Sequence, residues 1–257
     1  MVRIKEIILK TRIFYYLYLI LKGANKSPRY PTKPILTNAV LKTKQEYKNA
    51  LNQVKSLGLI PHIELAKNWD SLSALSIILK LTNKNASILD GGGELYSVIL
   101  PWLFLYGFRD LTCINLAFKK KINRGPIVYE YGDITNTKFR NNSFDAITCL
   151  SVIEHGVDLE EYFKEMSRIL KPGGMLITST DYWSTPIDTK NQVAYAVLIH
   201  IFTTDQVLEA INIAIKYGLT LINDIALECK DKAVEWKCLK FTFIYFTLRK
   251  ERILSTC

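Results

Sequence analysis

The sequence predicts an α/β protein built on a doubly wound, mostly parallel sheet of seven strands. Three observations carry that expectation. From residue 87 onward, short apolar runs alternate with longer stretches of helical spacing, the pattern of a parallel sheet covered on both faces. Glycine-rich turns punctuate the runs: Gly91-Gly92-Gly93 after the first, and Lys171-Pro172-Gly173-Gly174 before the fifth. The segment joining the last two runs has no helical pattern, which predicts that the last strand pairs antiparallel.

The elements follow in order. Residues 1–36 form a basic, apolar arm with a linker marked by Gly23, Pro31 and Pro34, and residues 37–257 form the domain. Residues 37–60 have helical spacing. Asp70 is placed to cap a helix of about three turns carrying Leu72, Leu75, Ile78 and Leu79 on one face. Ser87 to Asp90 is the first strand, and Leu95 to Tyr106 a helix stopped by Gly107. Strands follow at Leu111 to Asn115, Ile127 to Tyr131 and Phe144 to Leu150, then a helix over Leu159 to Leu170. In the Lys-Pro-Gly-Gly turn, proline presets φ at the second position and glycine accepts a positive φ at the third. The fifth strand is Met175 to Thr180. A helix over Thr204 to Tyr217 ends at Gly218. Leu219 to Ile225 and Phe241 to Leu248 complete the sheet.

Composition narrows the function. The formal net charge is +10, but residues 1–50 hold 11 Lys/Arg against 2 Asp/Glu, while the rest hold 23 against 22. The body is near neutral, and Lys outnumbers Arg 25 to 9, which disfavours specific reading of nucleic acid. Hydrophobic residues make up 49%, enough for a substantial core. The five cysteines contain no CxxC pair, and Cys113 and Cys149 sit inside apolar runs. This predicts a reducing, cytoplasmic setting with no disulfide framework and no zinc site. Ile13 to Leu21 is apolar but far shorter than the roughly 20 residues of a membrane span. No small-residue cleavage site follows it, which argues against a signal peptide. Two readings stay open for this basic, tyrosine-rich stretch: a helix packed on the domain, or one lying in a membrane interface as a peripheral contact.

In doubly wound sheets, ligands bind beyond the carboxyl ends of the strands. The loops after Asp90, Asn115, Tyr131 and Leu150 therefore surround one crevice. Three successive glycines let backbone pass close to a ligand, although a tight strand–helix turn needs them equally. Asn115, 23 residues after Gly92, stands where nucleotide-binding folds place an acid for ribose hydroxyls; capping the next turn is the alternative.

Residues 87–93 (SILDGGG), 130–133 (EYGD), 143–155 (SFDAITCLSVIEH) and 169–174 (ILKPGG) form an ordered set. Over residues 68–225 the set resembles the Rossmann-fold, class I S-adenosylmethionine (SAM)-dependent methyltransferases, in particular the type 11-like domain. The resemblance implies a SAM cofactor held by Asp90, Gly91, Gly92, Gly93, Asn115, Leu116, Asp133, Ile134 and Ser151. Asp90 and Gly92 match the positions beside the methionine moiety and adenosine, Asn115 the ribose position, and Asp133 with Ile134 the adenine side. Glu154 and His155 are expected to open a helix near the reactive end, with a helix N-terminus as the plain role for Glu154, a structural role open for His155 and a turn-fixing role for Asp145. Two departures from the family pattern stand out: Glu94 replaces a small residue and Asn115 replaces an acid.

Methyl transfer mainly demands alignment, with a base needed only where the acceptor's proton must leave early; His155 and Asp181 are the candidate bases, and no metal is implied. The stretch from Asp181 to Phe202 is long and carries Tyr182, Trp183, Tyr195 and Phe202, which suits either a substrate wall or an inward-packed subdomain. Lys67-Asn68-Trp69 is a second candidate cover for the cleft. The acceptor class expected is a small molecule, a sugar or a lipid-linked glycan. Two alternatives remain: an inactive methyltransferase-like scaffold and another nucleotide-dependent Rossmann enzyme.

Overall fold

The computed structural model describes residues 12–23, 29–31 and 36–252. In chain order the elements are α1 (Arg12–Gly23), β1 (Ala39–Val40), α2 (Lys44–Ser56), α3 (Lys67–Leu81), β2 (Ser87–Gly91), α4 (Ile99–Leu105), β3 (Asp110–Asn115), β4 (Ile122–Arg124), β5 (Ile127–Tyr131) and β6 (Phe144–Leu150). Then come α5 (Leu159–Ile169), β7 (Leu170–Tyr182), β8 (Val193–Ala194), β9 (Val197–Leu198), α6 (Thr204–Lys216), β10 (Leu219–Leu221), β11 (Val234–Trp236) and β12 (Leu239–Lys250).

The main sheet runs β1-β12-β7-β6-β2-β3-β5-β4, with β10 and β11 also paired to β12. Strands β5, β3, β2, β6 and β7 are parallel, and β12 enters antiparallel against β7, with Ile244 opposite Thr180. The doubly wound, mostly parallel sheet with an antiparallel last strand is thus present. The expected strands correspond to β2, β3, β5, β6, β7, β10 and β12, and the short β1, β4 and β11 extend it to ten.

Helices cover both faces. On one, α1 to α4 bury Tyr15, Leu19, Val54, Leu75, Ile78 and Trp102. On the other, α5 and α6 bury Tyr162, Phe163, Met166, Val207 and Ile211. Spacing of three and four along α5 brings Tyr162, Met166 and Ile169 to one side, and Asp158 caps its first turn by accepting from Glu161 N at 3.1 Å. A capping box of Thr203 and Gln206 starts α6. A third apolar cluster, with Leu41, Ile199, Ile201, Val234, Phe241 and Phe243, closes one end of the sheet.

Several boundaries differ from the sequence expectation for local reasons. The helix expected over 37–60 starts at Lys44, because Thr43 caps it and residues 39–40 pair with β12. Asp70 is not an N-cap: α3 begins at Lys67, and Asp70 lies buried within its first turn. The helix expected from Leu95 begins at Ile99, because Ser97 Oγ accepts from Glu94 N at 2.9 Å and holds a turn there. The Lys171–Gly174 turn lies inside β7 as an irregularity, the register against β6 jumping from Leu170 to Met175, and Gly173 takes the positive φ expected of it, +81°.

Helix α1 turns Tyr15 and Leu19 into the core and leaves Phe14, Leu17, Ile20 and Leu21 exposed. Arg124 lies over the Tyr15 ring, 4.6 Å from its centroid. No helix among the described residues is long and apolar enough to cross a membrane. Cys257 lies outside the described residues; Cys113 and Cys149 are buried in the sheet.

Candidate active site

A cavity of about 1260 Å³ opens beyond the carboxyl ends of β2, β3, β5, β6 and β7. It is lined by Asp90, Gly92, Gly93, Asn115, Leu116, Asp133, Ile134, Ser151, His155 and Asp181. Of the cofactor-binding and base candidates named from sequence, only Gly91 does not line it; a side chain there would approach Ile134 Cγ2 to 3.1 Å.

The glycine turn is built around close approach. Gly92 has φ +79°, and a Cβ on it would sit 2.5 Å from Val152 Cγ2. A Cβ on Gly93 would collide with the Asp90 carboxylate. Asp90 itself is buried, with one oxygen accepting from Thr148 Oγ1 at 2.7 Å. Burial pushes its pKa up to about 7, against the opposing effect of the Thr148 hydrogen bond.

Asn115 uses its side chain on the backbone. Its amide nitrogen donates to Gly92 O at 2.8 Å and Gly93 O at 3.1 Å, and its amide oxygen accepts from Ala117 N at 2.8 Å. An aspartate could not make the two donations. Asn115 therefore locks the glycine turn as well as lining the cavity. Asp133 Oδ1 accepts from Thr135 N at 2.9 Å and from its hydroxyl at 2.7 Å. Ile134 is buried and Leu116 exposed. Glu94 is half-buried on the cavity wall, and burial raises its carboxyl pKa.

After β6 the chain turns sharply at Ser151, whose φ of 54° is unusual for a residue with a side chain. Its amide donates to Ser179 O at 2.9 Å and Ser179 Oγ at 3.1 Å. The Ser151 hydroxyl is buried and makes no hydrogen bond of normal geometry, although it lies close enough to Glu154 to favour that carboxylate. The His155 Nδ1 atom is likewise buried without a partner, and burial, with a smaller contribution from Lys67, lowers its pKa. Glu154 and His155 do not open α5, which starts at Leu159. They sit in the preceding turn, and Glu154 is only 1% exposed, so it is no helix-terminus acid. Asp145 ties strand starts together, accepting from Ser87 N at 2.8 Å and Lys171 Nζ at 2.7 Å.

The long segment after β7 divides its aromatics. Tyr182 and Phe202 are buried, while Tyr195, at the tip of the β8–β9 hairpin, is 68% exposed and lines the cavity. Lys67 lines it too, in the first turn of α3 rather than ahead of it, whereas Asn68 is buried and hydrogen-bonded to His62. Lys67 also places its Nζ 4.1 Å from the centroid of the Phe243 ring. One contributor was not named from sequence: Tyr96, which meets Tyr195, a partner distant in sequence that only the aromatic enrichment of residues 182–202 pointed to.

The residues fit a nucleoside sulfonium ligand. The glycine turn packs against Val152 and the Asp90 carboxylate with no room for a Cβ, and Asp90, Ser151 and His155 line the same cavity.

Residues 101–178 match the family model of the Methyltransf_11 "Methyltransferase domain". "Sterol 24-C-methyltransferase erg6" of Schizosaccharomyces pombe is 30% identical over 93 residues, 34% of this chain and 24% of that protein. "Phosphoethanolamine N-methyltransferase 1" of Triticum aestivum is 29% identical over 98 residues, 37% of this chain and 20% of that protein. The chain thus spans a quarter or less of these two relatives. Among solved structures, a 1,6-didemethyltoxoflavin-N1-methyltransferase of Burkholderia thailandensis, with bound 1,6-didemethyltoxoflavin and S-adenosylhomocysteine, shares the fold. The TM-score is 0.53 at 15% identity, over 87% of this chain and all (100%) of that one. With its sheet order, its glycine turn and its methyltransferase-domain match over residues 101–178, this chain has the Rossmann-like class I fold seen in SAM-dependent methyltransferases.

Proposed function

We propose that this chain transfers a methyl group from SAM to a small-molecule acceptor. The observation that carries the reading is one continuous cavity. It runs from the glycine turn and Asp90, past Ser151, to His155 and Asp181. When bound, SAM supplies an electrophilic methyl group on a sulfonium. Asp90, Gly92 and Gly93 hold its amino-acid end, Asn115 and Leu116 flank the ribose, and Asp133 with Ile134 receives the adenine. His155 is poised as a neutral imidazole able to accept a proton, because burial disfavours its charged form. Tyr195 and the apolar lining residues Val197, Ile199, Val234 and Phe241 exclude water from the reacting end.

The test is calorimetric titration with S-adenosylhomocysteine, supported by thermal melting. At a hundredfold excess over its dissociation constant the ligand stabilises the fold by about 2.7 kcal/mol. A flat titration together with an unmoved melting curve overturns the reading and returns the chain to the scaffold alternative; binding of NAD instead supports another Rossmann enzyme.

A peripheral membrane contact is also supported by a specific observation. Helix α1, which exposes Phe14, Leu17, Ile20 and Leu21, packs against β4, and the exposed Lys119, Lys120 and Lys121 precede that strand. Apolar side chains flanked by cations suit an anionic lipid surface.

A further inference from the structure

Beyond the glycine turn, the cavity has a second polar region that the cofactor residues do not use. Lys67 on α3, Glu154 in the turn after β6 and Asp181 near the end of β7 line it together. The lysine already has a partner. Its Nζ lies 3.5 Å from Asp70 Oδ2, and Asp70 is held in turn by Ser71 N at 2.7 Å and Ser179 Oγ at 2.8 Å. Burial disfavours the Lys67 charge, but Asp70, Glu154, Asp181 and Glu64 outweigh it and raise the ammonium's pKa, so Lys67 stays charged.

The two remaining acids are left without a cation of their own. Glu154 is 1% exposed and accepts from Thr180 Oγ1 at 3.1 Å. Asp181 is 8% exposed and faces the cavity. Its backbone oxygen accepts from Phe202 N at 3.0 Å, but no hydrogen bond from a described residue reaches its carboxylate. Burial pushes both acids up, Glu154 to about 7, and at Asp181 repulsion from Glu154 adds to the rise. Two buried carboxyls facing one lysine that Asp70 already occupies form a pocket short of positive charge. Of the other charged residues lining the cavity near them, Glu64 is exposed and adds to the negative field, while exposed Lys44 and Glu235 contribute one charge of each sign. The surrounding wall is apolar and aromatic, with Val197, Ile199, Val234, Trp236 and Phe241.

A ligand that completes this pocket has to bring N–H donors and a positive charge on an apolar body. A carboxylate would add repulsion. An alcohol would donate one hydrogen bond and leave the charge uncompensated. We infer that Asp181 and Glu154 seat a protonated amine carried on an apolar body, which makes the acceptor an amine. This inference rests on the methyltransferase reading. In this seat the ammonium gives one N–H proton to the Asp181 carboxylate, leaving the nitrogen lone pair free. Nothing is oxidised or reduced, and the proton returns to water when the site reopens.

The experiment is calorimetry on the full chain saturated with S-adenosylhomocysteine, with octylamine, octanol and octanoate as probes of equal chain length. The expected order is octylamine at least tenfold tighter than octanol, with octanoate weakest. Asp181→Asn and Glu154→Gln are each expected to weaken octylamine about tenfold and to leave octanol unchanged; their S-adenosylhomocysteine affinity reports whether the fold is intact. If one variant does not fold, the other and the wild-type probe series decide. Octanol or octanoate binding as tightly as octylamine, no heat with octylamine at all, or folded variants that keep full octylamine affinity overturns the inference. Failure of the wild type to bind S-adenosylhomocysteine overturns the methyltransferase reading instead, so the two failures are distinct.

Discussion

The hydroxyl of Tyr195 lies 3.0 Å from the hydroxyl of Tyr96, tying the tip of the β8–β9 hairpin to the loop after the glycine turn. Tyr195 also meets His155 edge-on, with ring centroids 5.1 Å apart. Both tip residues hold left-handed backbone, φ 52° at Tyr195 and 64° at Ala196, where a Cβ is disfavoured by about 1–2 kcal/mol. The hairpin therefore keeps a strained turn while presenting an aromatic side chain to the cavity. Tyr195→Phe is expected to leave the melting temperature within about 2 °C of wild type. Losing one hydrogen bond of about 0.5–1.5 kcal/mol is expected to speed S-adenosylhomocysteine release two- to tenfold, as read by stopped-flow fluorescence. An unchanged release rate would show that the hairpin does not gate this ligand.

Asn115 makes backbone contacts that an acid at its position could not make. An acid at this position in the family suggests that Asn115→Asp is harmless or beneficial. Here the amide donates to two carbonyls, and a carboxylate in its place would face both of them. The variant is expected to lose about 1–3 kcal/mol of stability and to bind S-adenosylhomocysteine more weakly. Chemical denaturation and calorimetry on the same sample measure both; improved affinity would mean that the turn adapts and the ribose role dominates.

Asp90 couples stability to pH. Its pKa in the fold is about 7, raised by burial, against an unfolded value of about 3.9. Between these values the native state binds the extra proton, so this contribution is full below the unfolded pKa and is lost as pH rises through about 7. The melting temperature of ligand-free protein is expected to drop more between pH 5.5 and 7.5 than that of Asp90→Asn, which lacks this titration. Parallel slopes for the two proteins would remove Asp90 as the source.

The α1 surface is tested by co-sedimentation with vesicles. Full-length protein is expected to pellet with anionic vesicles at low salt, and less at high salt, where screening shortens the reach of the lysines. Leu17→Glu with Leu21→Glu is expected to abolish pelleting without lowering the melting temperature, since both side chains point outward. Wild-type protein that stays in the supernatant under every condition removes the membrane contact.

Much of the sheet was legible because its parallel strands are buried on both faces and read as apolar runs; Phe144–Leu150 has the same bounds in sequence and structure. The start of the helix after the glycine turn was not, because the side chain of Ser97 takes a hydrogen bond that only the folded turn reveals. Asp70 has the residue type of a cap, yet an ion pair with Lys67 in the same helical turn and a hydrogen bond from the distant Ser179 claim it. In the site, the strand-end residues were found because the fold itself dictates where such residues converge. Lys67 was named as a possible cover of the cleft, whereas Tyr96 escaped notice because it acts through a partner far along the chain, Tyr195.

The placement of β12 has a consequence for how the chain is made. This strand lies between β7 and both β1 and β10, and its residues from Phe241 to Leu248 are all buried and, apart from Thr242 and Thr247, apolar or aromatic. During synthesis β7 has emerged long before β12, so the growing chain carries an open, apolar strand edge until residue 250 is available. Ribosome-bound intermediates ending before Leu239 therefore offer a template for pairing between neighbouring nascent chains. Crowded polysomes are where this protein is most exposed to misassembly, and the insertion of one late strand ends that exposure.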